Sequence, residues 1–367
     1  MSANPAAVFQ KFRIYGSLLE SAPYGSGHIN DTFVATCSQA GTRIRYILQR
    51  INQIVFKDPE SLMDNVLRVT NEARSRLDGA GVLDASRRVL SVIPATDGKP
   101  FHLDEEGGYW RCYPFIEGAR THDVIRSTRQ AHEAARAFGE FQTLVAGMGG
   151  PRLHETIPEF HNTRSRFERL KEVAAADPHG RLAAATSEWE SMCERESVVD
   201  VLLNLQKTGQ IPERVTHNDT KLNNVMIDDA TGAGICVIDL DTVMPGLALY
   251  DFGDMVRTAT SPAPEDETDL SKVAMQMPMF EALVRGYLST AGSFLNDAEK
   301  SYLPVAGKLI ALEIGIRFLT DYLEGVVYFK TRRPGHNLDR CRTQIALVKS
   351  IEHQEEAMAA FVKELAQ

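Results

Sequence analysis

The stretch that most constrains this chain is RVTHNDTKLNNVMIDDATGAGICVIDLDT, at residues 214–242. Two short apolar runs, VMID and ICVID, flank the turn DATGAG, which is the pattern of two strands joined by a hairpin. Carboxylates and carboxamides stand at the ends of these runs. Such strand ends can hold a divalent cation beside a reacting hydroxyl, so the stretch indicates phosphoryl-transfer chemistry.

Three residues of this stretch are candidates for the chemistry. Asp219 and Asn224 have the spacing D-x-x-x-x-N, which is typical of the catalytic loop of protein kinases. An alcohol is a poor nucleophile, so a carboxylate must orient its O–H, and Asp219 is predicted to be this base. Asn224 and Asp239 are predicted to be oxygen ligands of Mg²⁺, because the hairpin would return Asp239 beside Asn224. The alternative is that these residues only cap turns, as Asp and Asn commonly do.

A glycine-rich segment, YGSGHINDTF at 24–33, stands where the first two strands should be joined. Gly25 and Gly27 would let the backbone approach a phosphate, and Ser26 would add a donor. Because Gly-Ser-Gly also forms many ordinary hairpins, this nucleotide-binding assignment depends on the 214–242 pattern.

The position of the usual phosphate-binding lysine carries a different residue. Protein kinases place this Lys on the third strand and pair it with a helix Glu. Here the strand reads YILQRIN, with Gln49 at the Lys position and Arg50 on the other strand face. Either Gln49 hydrogen-bonds the phosphates, or Arg50 replaces the Lys through a local twist. Glu72 is the candidate partner, although a Glu on a solvated helix face is common. The adenine is expected against the backbone at Phe115 and Ile116.

The order of patterns predicts an α+β chain. Residues 29–57 read as strands, a helix follows from Pro59, and RRVLSVIPA, PFHL and YWRCYPFI read as further strands. The rest is mainly helical apart from the 214–242 stretch. We therefore expect a β-rich, nucleotide-binding N-lobe with one main helix at 1–116. A mainly helical C-lobe with the catalytic loop and the substrate site should occupy 117–367, with a ligand cleft between the lobes.

Composition excludes several other classes of protein. The chain has 367 residues, with 40 Lys and Arg against 49 Asp and Glu, which gives a formal net charge of −9. This balance offers no general affinity for nucleic acid or anionic membranes. The five cysteines show no C-x-x-C spacing, so we expect reduced thiols in a cytoplasmic protein without a zinc site. The start lacks a secretion signal, and no apolar run of 18 residues suggests a membrane span.

The catalytic stretch resembles that of the aminoglycoside phosphotransferase and choline kinase superfamily. V-T-H-N-D-T-K-L-N-N-V followed by V-I-D-L-D is similar to the H-G-D-x-x-x-x-N and I-D pair of that family. The resemblance implies a bilobal, protein-kinase-like fold that uses ATP and Mg²⁺. It implies Asp219 as the catalytic base, Asn224 and Asp239 as magnesium ligands, and His217 as a brace of the loop. Asn218 is a departure, since the superfamily usually has Gly there.

A second motif, D-F-G at 251–253, resembles the metal-binding DFG of protein kinases. It lies 32 residues after Asp219, too far if Asp239 already fills that role. In the superfamily, a similar Asp braces the catalytic loop, so Asp251 is predicted to be structural.

Several segments resemble one branch more closely, the N-acetylhexosamine 1-kinases. They include G-S-G-H-I-N-D-T-F, L-Q-R-I-N, W-R-C-Y-P-F-I-E, I-D-L-D-T-V-M-P-G and R-F-L-T-D-Y-L. The resemblance implies phosphorylation of the anomeric hydroxyl of GlcNAc or GalNAc, and the Gln at the Lys position is similar in that branch. His28, Arg317 and Tyr328 are the candidate substrate ligands, besides Asp219.

The identity of the acceptor stays open at this stage. Glu313, Arg317 and Asp321 are spaced four apart, which is also the pattern of an ordinary ladder on a helix surface. Another alcohol, such as choline, an aminoglycoside or a different hexose, is an alternative substrate. A catalytically silent nucleotide-binding module is a further alternative, suggested by the missing Lys. No partner protein is indicated.

Overall fold

The computed structural model describes residues 4–25 and 29–365. Its contacts divide the chain into two compact units. The first unit comprises Met1–Arg120, Gly147–Ile157 and Met226–Met244. The second unit comprises Thr121–Ala146, Pro158–Val225 and Pro245–Gln367.

The strands are concentrated in the first unit and in the 214–246 region. They are β1 (Ser17–Pro23), β2 (Asp31–Gln39), β3 (Thr42–Arg50), β4 (His102–Leu103), β5 (Tyr109–Pro114), β6 (Ala119–Arg120), β7 (Arg214–Thr216), β8 (Val225–Asp228), β9 (Gly234–Val237) and β10 (Met244–Gly246).

Helices make up most of the remaining ordered structure. They are α1 (Pro5–Phe9), α2 (Pro59–Gly79), α3 (Ala85–Arg88), α4 (Thr128–Val145), α5 (Thr163–Ala176), α6 (Thr186–Cys193), α7 (Val201–Lys207), α8 (Ala248–Ala259), α9 (Met277–Ala291), α10 (Asp297–Ser301), α11 (Leu303–Leu323) and α12 (His336–Leu365). Together with the strands they confirm the predicted α+β class, β-rich near the N-terminus and helical towards the C-terminus. In the described part of the chain, no helix combines the length and the apolar character needed to cross a bilayer.

The first unit is built on an antiparallel five-stranded sheet in the order β1-β2-β3-β5-β4. Alternate residues of its strands point to opposite faces. One face carries the buried residues Cys37, Leu48 and Trp110, which pack with Phe9 and Phe12 in a hydrophobic core. The opposite face carries the polar residues that matter for the candidate site.

A second sheet of the first unit joins β6, β8 and β9. Its apolar side chains form a separate buried cluster of Ile116, Ala119, Met226, Ile235 and Cys236. Both hairpin strands predicted from VMID and ICVID are therefore present, and they fix the position of Asp239 just after β9.

The second unit is a helical bundle in which α4 packs on α9, and α11 packs on α8, α12 and α5. Small residues allow the closest approaches. A Cβ at Gly286 of α9 would lie 2.2 Å from the carbonyl oxygen of His132 on α4, so only glycine fits this crossing.

One predicted strand is wrong. RRVLSVIPA begins inside helix α3, where Arg88 pairs with Asp84 at helical spacing, 2.8 Å between Nε and Oδ1. The residues that follow are extended but form no ladder. Ile93 donates to the carbonyl oxygen of Cys112, and Ala95 makes an isolated bridge with Phe12.

Candidate active site

The loop after β7 brings Asp219 and Asn224 together. A single turn of 3-10 helix at 222–224 directs the Asn224 side chain back along the loop. Its Nδ2 donates to the backbone oxygen of Asp219 at 2.7 Å and to Oδ2 of the same residue at 3.1 Å. Because the amide nitrogen is used in this way, the side-chain oxygen of Asn224 is the candidate atom for the predicted metal contact.

Lys221 is a member of this loop to which the sequence reasoning gave no role. Its Nζ lies 2.8 Å from Oδ1 of Asp219, whose side chain is 27% exposed. Burial raises the pKa of Asp219, but Lys221, His217 and Asn224 together lower it below the ordinary 3.8. Asp219 is therefore ionised at neutral pH and can accept a hydrogen bond from an alcohol.

His217 supports the loop that carries Asp219, in the way that the resemblance implied. Its ring is fully buried and meets Phe138 and Phe141 edge-on, with centroid distances of 5.3 and 6.0 Å. Its Nδ1 accepts the backbone N–H of Asp219 at 3.3 Å. The aromatic packing thus fixes the backbone that carries the base.

Asn218 has a left-handed backbone, with φ at 65°. This explains why the superfamily usually has Gly at the position, since residues with a Cβ are strained there. Asn tolerates this region better than most residues. Its Oδ1 also accepts the hydroxyl of Thr216 at 3.0 Å, which ties the turn to β7.

Asp251 confirms the prediction of a structural brace. Its carboxylate accepts the backbone N–H groups of His217 at 2.9 Å and Asn218 at 2.7 Å, and Nε2 of Gln142 at 2.6 Å. Its carbonyl oxygen accepts the hydroxyl of Thr220. Burial raises the pKa of Asp251 above its ordinary value, and these donors only partly oppose the rise.

The D-F-G motif itself is helical. It lies within α8, and a Cβ on Gly253 would be 2.5 Å from the carbonyl oxygen of Ala306 in α11. The glycine therefore serves close packing of two helices.

In the first unit, Gln49 lies on the sheet face opposite the core. The register pairs it with Thr32 on β2 and Arg111 on β5. Its Nε2 donates to the hydroxyl of Thr32 at 3.0 Å, and its Oε1 accepts Nε of Arg111 at 3.0 Å. Gln49 thus bridges two neighbouring strands.

Arg111 and Asp241 form a buried ion pair that the sequence reasoning missed. Their side chains are 1% and 3% exposed, and Nη1 of Arg111 contacts Oδ1 of Asp241. Asn30 donates to the other carboxylate oxygen at 2.6 Å, and Thr156 donates to the Asp241 backbone oxygen at 3.1 Å. The sequence does contain one indication of this pair, because Arg111 is a charged residue inside the otherwise apolar strand YWRCYP.

Asp239 lies two residues after the end of β9, at the start of the next turn. Its φ is 59°, so it turns the chain sharply into the 3-10 helix at 240–242 that contains Asp241. Asn65 of α2 supports the end of this turn by donating to the carbonyl oxygen of Val243 at 3.0 Å. The predicted metal ligand therefore lies on a turn held by buried polar contacts.

A cavity of about 450 Å³ lies on the same sheet face as Gln49. It is lined by Ala22 of β1 and Val34 of β2, and by the ion pair of Arg45 and Glu117. The guanidinium carbon of Arg45 is 3.7 Å from the centroid of the Phe115 ring. The rest of the lining is polar, so Ala22 and Val34 form the apolar part of a cavity with mainly polar walls.

The two predicted adenine-contacting residues differ in their surroundings. Phe115 lies beside this cavity, and its N–H donates to the carbonyl oxygen of Arg45 at 3.0 Å. Ile116 is buried in the cluster of the β6-β8-β9 sheet.

Two other predicted phosphate contacts point elsewhere. Arg50 is on the opposite face to Gln49, where the register pairs it with the buried Trp110 of β5. The β2–β3 register runs unbroken to Arg50, so the chain has no local twist that would turn it over. Glu72 pairs with Arg76 on its own helix, 2.7 Å between Oε1 and Nε, as a solvated Glu would.

The glycine-rich segment joins β1 to β2, the place predicted for it. Gly25 has φ at 81°, in the region that favours glycine. Ser26, Gly27 and His28 lie outside the described residues.

The predicted substrate residues Arg317 and Tyr328 contact each other in the second unit. The guanidinium carbon of Arg317 lies 5.5 Å from the ring centroids of Tyr328, Phe160 and Phe329. Tyr328 is 60% exposed, so its ring is accessible from solvent. The backbone N–H of Tyr328 donates to the carboxylate of Asp321 at 2.6 Å.

The alternative of a surface ladder is wrong for two of its three members. Glu313 is fully buried, where it accepts the hydroxyl of Thr163 at 2.6 Å and lies 2.8 Å from Nδ1 of His161. Asp321 is buried too, and it accepts backbone N–H groups of the loop that carries Tyr328. Arg317 therefore lies on the same helix face as two buried carboxylates.

In the described part of the chain, no three His, Cys, Asp or Glu side chains cluster as a complete metal site. Magnesium rarely uses such a cage, because it is usually held by one or two protein oxygens, water and substrate phosphates. Asp239 and the carbonyl oxygen of Asn224 are hard oxygen donors of the type that fits this mode.

Known structures share the fold at low sequence identity. An aminoglycoside phosphotransferase from Alicyclobacillus acidocaldarius is 12% identical with a TM-score of 0.60, over 100% of this chain and 97% of that one. A choline kinase from Cryptosporidium parvum is 15% identical with a TM-score of 0.56, over 94% and 92%. A spectinomycin phosphotransferase in complex with ADP and spectinomycin is 13% identical with a TM-score of 0.55, over 96% and 97%. These likenesses establish the kinase-like fold.

A family model carries the assignment further than the fold. The model described as APH, phosphotransferase enzyme family, matches residues 20–291, well over half of the chain. The match includes all of the five-stranded sheet except the first three residues of β1, and it includes the loop that carries Asp219. The chain belongs to the phosphotransferase enzyme family and is a kinase-like phosphotransferase of small substrates.

Proposed function

We propose that this protein is an ATP-dependent sugar kinase that phosphorylates the anomeric hydroxyl of an N-acetylhexosamine, GlcNAc or GalNAc. The observation that carries the kinase assignment is the loop geometry at Asp219. This carboxylate is ionised, partly exposed and held by Lys221 and Asn224. Such a group can accept a hydroxyl proton, which is the need that an alcohol acceptor imposes.

ATP is the proposed donor. The spectinomycin phosphotransferase of the same fold was solved with ADP, and the cavity on the Gln49 face offers a place of suitable size. The adenine would lie against Ala22 and Val34, near the backbone at Phe115. The triphosphate would extend towards Gln49, with Gly25, Ser26 and Gly27 as further phosphate contacts.

Mg²⁺ would be held by Asn224 and Asp239 together with phosphate oxygens. When bound, it would neutralise the charge that develops on the transferred phosphoryl group.

Asp219 would hold the sugar O–H in line with the γ-phosphorus. The bond between the sugar oxygen and phosphorus forms as the bond between phosphorus and the β–γ bridging oxygen breaks. The hydroxyl proton passes to Asp219 and then to water, and ADP leaves. Catalysis by the protein is therefore mainly positioning and charge stabilisation, as is usual for phosphoryl transfer.

The sugar specificity is supported by the resemblance of the motifs to N-acetylhexosamine 1-kinases and by the surroundings of Arg317. A guanidinium next to an exposed Tyr ring offers donors and an apolar surface, which together suit a sugar. Arg317 and Tyr328 would bind the acceptor, with His28 as a further proposed contact.

A panel assay tests both levels of the proposal. Purified protein with Mg²⁺ and ATP is offered GlcNAc, GalNAc, glucose, galactose, choline and an aminoglycoside, and ADP release is measured. We expect stimulation by the two N-acetylhexosamines and a product whose phosphorus couples to the anomeric proton in ³¹P NMR. ADP release stimulated only by choline or the aminoglycoside would contradict the proposed sugar specificity. ATP binding without stimulation by any acceptor would contradict the proposal that the protein is an enzyme.

A further inference from the structure

We propose that the ion pair of Arg111 and Asp241 replaces the strand-lysine and helix-glutamate pair of protein kinases in this chain. Arg111 is thereby a positioning residue for the turn that carries Asp239. The inference rests on the proposed use of Mg²⁺ and ATP, because it assigns the residues that prepare the first unit to hold them. It also explains why Gln49 stands at the lysine position.

The first step is the pairing between strands. Gln49 on β3 and Arg111 on β5 are directly opposed in the register, and their side chains are hydrogen-bonded. Nε of Arg111 needs an acceptor at residue 49, and the Oε1 of Gln49 provides it. A lysine has no acceptor and would place a second positive charge against Arg111. Gln49 and Arg111 are therefore complementary. The positive charge that protein kinases carry on the third strand is carried here by Arg111 on the neighbouring strand, β5.

The second step concerns the partner of this cation. The usual helix carboxylate would be Glu72, but it pairs with Arg76 of its own helix. The carboxylate that faces Arg111 is Asp241, in the 3-10 turn immediately after Asp239. An arginine suits this place better than a lysine, because its guanidinium can hold two acceptors in fixed directions.

The third step links the pair to the metal ligand. Asp241 is two residues after Asp239, and it is held by Arg111 and by Asn30, whose own Oδ1 accepts the N–H of Asn52. The turn cannot shift without breaking these contacts, of which the ion pair with Arg111 is buried. Asp239 has a left-handed backbone at the start of this turn, so the place of its Cα and Cβ depends on where the turn is held.

A variant that lacks both charges of the Arg111–Asp241 pair can show whether the pair positions the nucleotide site or only stabilises the fold. A buried ion pair that loses one partner is strongly destabilised, whereas replacement of both partners by apolar residues is often tolerated. We therefore expect R111M and D241L each to lower Tm, and the double variant R111M/D241L to recover most of it. The double variant should still bind Mg-ATP at least tenfold more weakly than wild type, by titration calorimetry, with little change in KM for the acceptor.

The matched control is the ion pair of Arg214 and Glu299 in the second unit, 2.6 Å between Nε and Oε1. The double variant R214M/E299L removes a comparable pair, and we expect its affinity for Mg-ATP to equal that of wild type. Failure of wild type itself to bind Mg-ATP would overturn the proposed function and this inference together. Wild-type binding with unchanged affinity in R111M/D241L would overturn the inference alone.

A second variant keeps the test decisive if the double variant does not fold. Gln49 is only half-buried, so Q49K should fold, and it restores the lysine that protein kinases have. If residue 49 alone served the phosphates, Q49K would bind Mg-ATP as well as or better than wild type. Our inference predicts the opposite, at least tenfold weaker binding, because the new charge repels Arg111 and releases Asp241. R111K should lie between R111M and wild type.

Discussion

Nζ of Lys221 lies 2.8 Å from Oδ1 of Asp219, the carboxylate to which we assign the base. Lys221 is the largest of the influences that lower the pKa of Asp219, whereas burial raises it. The ion pair therefore keeps the base ionised in a partly enclosed loop. It also ties the direction of the carboxylate to the chain two residues further on.

The first prediction concerns the pH dependence of K221M. An Asp with a lowered pKa contributes stability above its unfolded value of 3.8, and this is lost as the pH falls through the folded pKa. In wild type we therefore expect that protonation of Asp219 causes no fall of kcat/KM at any pH above 3.8. Without Lys221 the effect of burial remains, so the acid limb of kcat/KM should move to higher pH. The value of kcat should fall about 10²-fold, as for the loss of one electrostatic contact at a reacting group.

The control for this variant is K221R, which keeps the charge. Its acid limb should stay with that of wild type even if kcat falls. An unmoved limb in K221M would contradict the link between the two residues.

The second prediction concerns the brace at Asp251. D251N keeps the shape of the side chain but replaces one acceptor oxygen by a donor, which opposes the N–H groups of His217 and Asn218. We expect a loss of about 1–3 kcal/mol in the free energy of unfolding, the usual cost of unsatisfied buried polar groups. Urea unfolding measures this loss, and kcat should fall as well. The control D269N, at an exposed turn, should leave both quantities near wild type.

The third prediction separates helix packing from metal binding at the D-F-G motif. In G253A the new Cβ would overlap the carbonyl oxygen of Ala306, so unfolding should become easier by about 1–3 kcal/mol. The Mg²⁺ concentration for half-maximal rate should not change. G79A is the control, because a Cβ there meets nothing within 4 Å. A changed Mg²⁺ requirement in G253A would indicate that the motif serves the metal.

The fourth prediction concerns the left-handed backbone at Asn218. N218G should be close to wild type in kcat, since glycine takes this conformation freely, although it loses the hydrogen bond from the hydroxyl of Thr216. N218A should cost about 1–2 kcal/mol of stability, because Ala keeps the strained Cβ but lacks the polar side chain by which Asn tolerates this backbone region. Thermal unfolding and kcat measurements check this prediction, and both should rank N218G above N218A. Equal stability of the two would argue against backbone strain.

The loop and its hairpin could be predicted from sequence because their signals are local. Asp219 and Asn224 are five residues apart and meet within one turn, so spacing alone determines their contact. The strands β8 and β9 are short apolar runs with a glycine turn between them. Alternation likewise located β3 and placed Gln49 on its polar face.

Other features depended on contacts that are distant in the sequence. Arg111 and Asp241 are 130 residues apart, and nothing near either residue indicates its partner. Glu313 has the spacing of a surface ladder, but His161 and Thr163 bury it from another segment. RRVLSVIPA failed as a strand because β-branched residues favour extension without saying whether a neighbouring edge is available for a ladder.

The central claim is that Asp219 is the catalytic base of an alcohol kinase, and D219N tests it most directly. Steady-state turnover with the best acceptor should show kcat lower by about 10²–10⁴-fold, the usual contribution of a positioned base. Mg-ATP should still raise the Tm of the variant as it does for wild type. Near-normal kcat in D219N, with ATP binding intact, would contradict the account.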